Sequence, residues 1–265
     1  MEPDGDLNNG EETTLVKKIH LEWIPELCLH PRRTLKTILD AESALWLTPM
    51  LVLTVLGILS VLITGPVRSR AALQSMAQPN PEMQQYLSPE QLEQMQSGLS
   101  ISQGPLFIYG FPLLSSLASI WFGWLLMGGL LHLGLTLSGS RSSNRITFNL
   151  AAWAALPIGL RIVVQTLGLL ISGKPIVSPG LSGFIDATTG GGAAFFGALL
   201  SQLDIYLLLQ LFLIGLGVTL MDGEFRKKSL AAAAIVAGLV IILFAAPTFV
   251  SNLMVSMASS GGGVF

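Results

Sequence analysis

Five apolar stretches, at about residues 44–64, 111–137, 148–171, 193–221 and 230–250, alternate with polar segments along the chain. Each is about 20 residues or longer, which as a helix crosses a hydrocarbon core of about 30 Å. The pattern predicts five transmembrane helices. Ahead of them, Leu15, Ile19, Trp23, Leu27, Leu35, Ile38 and Leu39 recur at helical spacing with bases between them, and Pro25 and Pro31 divide the run into short pieces. Segment 14–43 therefore reads as an interfacial helix in the headgroup layer, anchored by Trp23, Arg32, Arg33 and Lys36. The same pattern also fits a helix packed on the bundle, because both arrangements bury one face. Residues 1–13 are acidic and rich in Asn and Gly, as expected of a disordered terminus, and 251–265 forms an uncharged tail.

The longest loop, 65–105, carries Gln, Met and Pro and is expected to hold short helices. In Ser88-Pro89-Glu90-Gln91 a capping Ser, a first-turn Pro and a capping-box Gln mark a helix start, and Leu92, Met95 and Leu99 then form a narrow apolar stripe. Met76, Met83 and Met95 read as adaptable packing in preference to a soft-metal site. Ser115, Ser119 and Gly123, then Ala193, Gly197 and Ser201, then Ala233, Ala237 and Ala234, Gly238, repeat at four-residue spacing, which lets helix backbones approach closely in lipid. These stripes predict a tight bundle and are compatible with a homo-oligomer. Gly190-Gly191-Gly192 lacks the lysine and strand-to-helix context of a phosphate loop.

Composition sharpens this picture. Charged residues are 11% of 265, and mean hydropathy is +0.65, against about 25% charged residues in soluble domains. Almost the whole chain is used by five spans and their loops, so one all-α membrane domain is expected over 44–250. The net charge of −2 argues against nucleic acid as a partner. The single cysteine, Cys28, excludes an internal disulfide. No early apolar core leads to a cleavage site, so the first span is expected to be its own insertion signal. Of the 14 Lys and Arg, ten flank one side of the five spans (Lys17, Lys18, Arg32, Arg33, Lys36, Arg141, Arg145, Arg226, Lys227 and Lys228). Three (Arg68, Arg70 and Lys174) flank the other. Bases mark the cytoplasmic side, which predicts an inside N-terminus and an outside C-terminus.

Two charges fall inside spans: Arg161 and Asp204. Intramembrane charges are costly, and they are usually paired or functional. Arg161 lies thirteen residues into the third span and Asp204 seventeen from the end of the antiparallel fourth, so on straight helices their depths differ by about 6 Å. An Arg161–Asp204 ion pair is expected, as a structural pin in the first place and as a proton or ion relay in the second. Gln165, Gln202 and Gln210 are candidates to extend that network, with His132 near the basic end of the second span. His20, Cys28 and His30 are too few and too loosely spaced for a zinc site, and no cofactor is implied. No nucleophile–base set or carboxylate pair shares a membrane layer, so no enzymatic activity is expected.

The motif residues carry a resemblance. His30-Pro31-Arg32-Arg33-Thr34-Leu35-Lys36-Thr37-Ile38-Leu39 precedes the first span, which Pro49 opens, and Ser88-Pro89-Glu90-Gln91 stands in the following loop. Ala155-Leu156-Pro157 lies in the third span, and Leu203-Asp204-Ile205-Tyr206 and Ile214-Gly215-Leu216-Gly217 lie in the fourth. Over about 19–250 the chain resembles the Yip (Ypt/Rab-interacting protein) family in its prokaryotic form. The resemblance implies a five-helix membrane domain with a cytosolic N-terminus, in a prokaryotic inner membrane. Eukaryotic members are associated with Rab GTPases, vesicle traffic and membrane shaping, whereas prokaryotic ones mostly lack an assigned activity. Asp204 matches the family's acidic position in the fourth span. The expected function is a membrane scaffold or adaptor that organises lipid or protein partners through 14–43. A small-solute or ion transporter using Arg161 and Asp204 is the alternative.

Overall fold

The structure, a computed structural model, describes residues 19–76, 88, 90, 104–174, 179–186, 191–221 and 226–261. The expected disordered terminus and most of the helix start at Ser88 lie outside the described residues, as do Leu92, Met95, Leu99 and Met83. Among the described residues every regular element is helical. The helices are α1 (Trp23–Leu29), α2 (Pro31–Asp40), α3 (Leu47–Met76), α4 (Phe111–Leu137), α5 (Asn144–Ala154), α6 (Leu156–Ser172), α7 (Gly191–Gln202), α8 (Ile205–Met221) and α9 (Arg226–Gly261). A π-turn over Leu106–Gly110 leads into α4.

Four helical segments are long and apolar enough to cross a membrane: Leu47–Arg70, Leu106–Leu137, Asn144–Ser172 and Arg226–Met254. A fifth exists if α7 and α8 together make one span, although they meet at a bend of 66°. The outward faces carry large apolar side chains in rows, such as Leu51, Val55, Leu59 and Leu62 on α3 and Leu114, Phe122, Leu125 and Leu133 on α4. In water such rows would be a liability, and in a bilayer they are the solvated face.

Two expected spans are not continuous helices. The third is interrupted at Ala155, because Pro157 has no N–H to bond the turn before it and its ring crowds that turn. The fourth is interrupted at Leu203–Asp204. The fifth runs on without a break to Gly261, so most of the expected tail is helix.

Helix α5 is the centre of the bundle, in contact with α2, α3, α4, α6 and α8. Its residues from Asn149 to Ala154 are all buried, with Leu150 and Trp153 at 0% exposure. Asn149 is polar at this depth because it ties in the segment before α3. Its Oδ1 accepts the Leu45 amide at 2.8 Å and its Nδ2 donates to the Ser43 carbonyl at 3.1 Å. Trp153 Nε1 donates to the Leu45 carbonyl at 3.0 Å. Small residues serve contacts inside the chain: Gly123 faces the Phe244 ring, and Gly197 is buried on α7, which packs along α9.

Over the residues described, segment 14–43 packs on protein. Helix α2 lays Leu35 and Ile38, both at 0% exposure, onto α5 and α8, leaving Arg32, Arg33 and Lys36 exposed on the other face. Trp23 stacks on His20 at 4.0 Å and leans on Trp153 at 5.7 Å, so its ring is turned into the bundle. Arg145 donates to the Glu42 carbonyl, and Ser138 Oγ meets Ser229 Oγ at 3.4 Å. These contacts gather the 30s, the α4–α5 turn and the start of α9 at one end of the bundle. That end holds eight of the ten bases counted on one side of the spans, the other two lying outside the described residues.

Candidate functional site

The break in the fourth span is built around Asp204. It occupies the N-cap position of α8, where an acidic side chain can hold a free first-turn amide. Its Oδ1 accepts the Leu207 amide at 2.8 Å, and its backbone carbonyl starts the helix by accepting from Leu208. Its second oxygen, Oδ2, lies 3.0 Å from Arg161 Nε on α6. The expected ion pair is present, and both oxygens of the carboxylate are committed. Its side chains are 25% and 14% exposed, so it sits largely within protein.

The other side of the break is also satisfied. A helix end in lipid must find donors for its last carbonyls. The Leu181 amide donates to both the Leu200 and Leu203 carbonyls, at 2.9 and 3.1 Å. Gly180 positions that amide with φ +59°, and a Cβ there would lie 2.7 Å from those two carbonyls and 2.9 Å from that of Ser201. Only glycine accepts both the left-handed backbone and the approach.

Beside the break lies a cavity of about 190 Å³. Leu53, Trp124, Met127 and Phe244 form much of its apolar wall, while Arg161, Gln202 and Gln210 supply polar groups. The Gln202 amide donates, at the long limit, to Ser201 Oγ (3.4 Å) and the Phe244 carbonyl (3.5 Å). Gln210 is 6% exposed. Its amide makes no hydrogen bond with another described residue.

The expected network is thus only partly assembled. Arg161, Asp204, Gln202 and Gln210 come together. Gln165 does not join them. It lines a separate pocket one turn along α6, with Ser60, Thr64, Arg68 and Thr166. His132 lies on α4 and does not line this cavity, its Nδ1 buried and without a hydrogen-bond partner among the described residues. Among the described residues no three His, Cys, Asp or Glu side chains gather to hold a metal ion.

A second feature lies at the basic end. The exposed side of α2 borders a surface groove lined by His30, Arg32, Arg33 and Lys36, with Asp40 in it and Thr219 and Leu220 of α8 opposite. Leu39 forms part of its floor, and the bases present outward.

The helix break is what sequence reading missed. Its signal was an Asp followed by a fresh apolar run, the pattern of an N-cap, inside what hydropathy reads as one span. No family model, no curated protein and no solved structure matches the chain.

Proposed function

We propose that this chain is a non-enzymatic, five-span membrane scaffold of the Yip type, with its N-terminus in the cytoplasm, which organises anionic lipid and partner proteins at the inner face of the membrane. One observation carries the reading: α2 spends its apolar face on the bundle and holds Arg32, Arg33 and Lys36 outward beside the end of α8. A basic face fixed at the end of a membrane bundle attracts anionic headgroups. The charge bias of the loops supports the orientation.

Transport by way of Arg161 and Asp204 is the second reading, and the interrupted helix favours it, since broken spans line many transport sites. Against it stands Asp204, whose two oxygens are occupied by a helix cap and an arginine.

The test is lipid retention. Full-length protein and a variant with Arg32, Arg33 and Lys36 changed to Gln are purified in mild detergent. Each is titrated with phosphatidylglycerol and with phosphatidylcholine, and bound lipid is counted by native mass spectrometry. The scaffold reading expects phosphatidylglycerol to bind the wild type in preference, and at least tenfold more weakly to the variant. Equal retention by both proteins would remove the role of this face. Solute flux through reconstituted vesicles that is lost in Asp204→Asn would favour transport instead.

A further inference from the structure

Gln210 sits within an apolar helix, 94% buried, with a primary amide that bonds to nothing else among the described residues. An amide that faces a mostly apolar cavity without a protein partner is unfavourable, and more so at membrane depth. Nearby polar groups already have contacts: Asp204 has both oxygens engaged, Arg161 meets it through Nε, and Gln202 donates at the long limit to Ser201 and Phe244. The unpaired amide borders the 190 Å³ cavity, whose apolar wall includes Trp124, Met127 and Phe244. That volume is below the roughly 300–1,000 Å³ of pockets for drug-sized ligands. It suits a single ring or a short acyl chain.

We propose that this cavity binds a small, neutral, mostly apolar molecule carrying a carbonyl oxygen, which accepts a hydrogen bond from the Gln210 amide while its apolar body lies between Trp124, Met127 and Phe244. Neutrality follows from the ion pair. Arg161 already has Asp204 as its counter-ion at 3.0 Å. An added anion would be left uncompensated beside that carboxylate, and an added cation would face the guanidinium, each in a low-dielectric interior. Size, apolar walls and the Gln210 amide define the rest. A molecule of this kind partitions into lipid and needs no aqueous path.

The probe is duroquinone, a fully substituted quinone that cannot form a ring adduct with the exposed Cys28. It also quenches tryptophan, and Trp124 is on the cavity wall with Trp121 5.8 Å away. Full-length protein in detergent micelles is titrated with duroquinone, then with decanoate as an anionic competitor of similar size. Gln210→Leu is measured alongside. The expected result is a saturable quenching component in the wild type, not displaced by decanoate and weakened at least tenfold in Gln210→Leu at an unchanged or higher Tm. If Gln210→Leu does not fold, Gln210→Met, closer in shape, makes the same comparison. Quenching that only follows partition into micelles overturns the proposal. So does equal affinity in the variant, or displacement by decanoate.

Discussion

Arg161 Nε and Asp204 Oδ2 lie 3.0 Å apart where α8 begins, and the other oxygen of Asp204 holds the Leu207 amide at 2.8 Å. One carboxylate therefore closes a helix break and ties α8 to α6 at the same point. Removing a partner from a buried pair leaves an uncompensated charge, worth about 3–5 kcal/mol when fully buried. This pair is partly exposed, so the cost should be smaller. Arg161→Met and Asp204→Leu are each expected to destabilise by about 2–3 kcal/mol in detergent. Combined, they should recover most of the charge penalty yet remain about 1 kcal/mol below wild type, because the cap is still missing. Asp204→Asn, which can still cap, should be milder than Asp204→Leu. Thermal unfolding of the four variants by circular dichroism decides this, and a double mutant as unstable as the two singles added together would show that the two sites do not couple.

Gly180 offers an independent check on the break. Alanine there meets a left-handed backbone and three carbonyl oxygens within 2.9 Å. Gly180→Ala should lower stability by about 2–4 kcal/mol, among the larger single-residue effects. Hydrogen exchange should rise at Leu181, whose amide would lose its two carbonyl partners. Unchanged exchange at that amide would mean that the loop does not close the helix end.

Asn149→Leu keeps the size of the side chain but strips the Leu45 amide and the Ser43 carbonyl of their partner. A buried donor left unpaired costs about 1–3 kcal/mol. The expected readout is a lower melting temperature and earlier proteolysis near Ser43–Leu45, with α4 and α9 still protected. Uniform loss of protection across the molecule would indicate a wider role for this residue.

Gly217 and Leu150 form a tight contact between α8 and α5. A Cβ on Gly217 would overlap the Leu150 side chain, which is fully buried and would have to shift within the packed core. Gly217→Ala is expected to cost about 1–3 kcal/mol, as overpacking does. Adding Leu150→Val should return part of that loss, whereas Leu150→Val alone should destabilise. Melting temperatures of the three variants check the sign reversal.

Hydropathy located the apolar segments well because lipid exposure depends on composition, and α4 begins and ends at Phe111 and Leu137 as the pattern predicts. It could not locate the breaks at Ala155 and Leu203–Asp204, because the residues on both sides of each are equally apolar and only the backbone hydrogen bonds change. Pro157 and Asp204 carried the local signals, an absent donor and a cap. The ion pair was legible because depth along two antiparallel spans is simple arithmetic. Gln165 fell outside the site for the same geometric reason: a residue four positions on shares a face but lies about 6 Å further along the axis. The basic segment was ambiguous, since periodicity shows that one face is buried without showing against what. Gly180 was invisible as a critical residue, because its role depends on carbonyls some twenty positions later in the chain.

The docking of α2 also has a consequence for the order of synthesis. Leu35 and Ile38 leave the ribosome well before α5 and α8, which supply the surfaces that cover them. Until the chain has been made through Met221, the far end of α8, that amphipathic face has no complete partner. Helix α2 therefore reaches its final place only after α8 is made, and during that interval the membrane surface or a chaperone is the available cover.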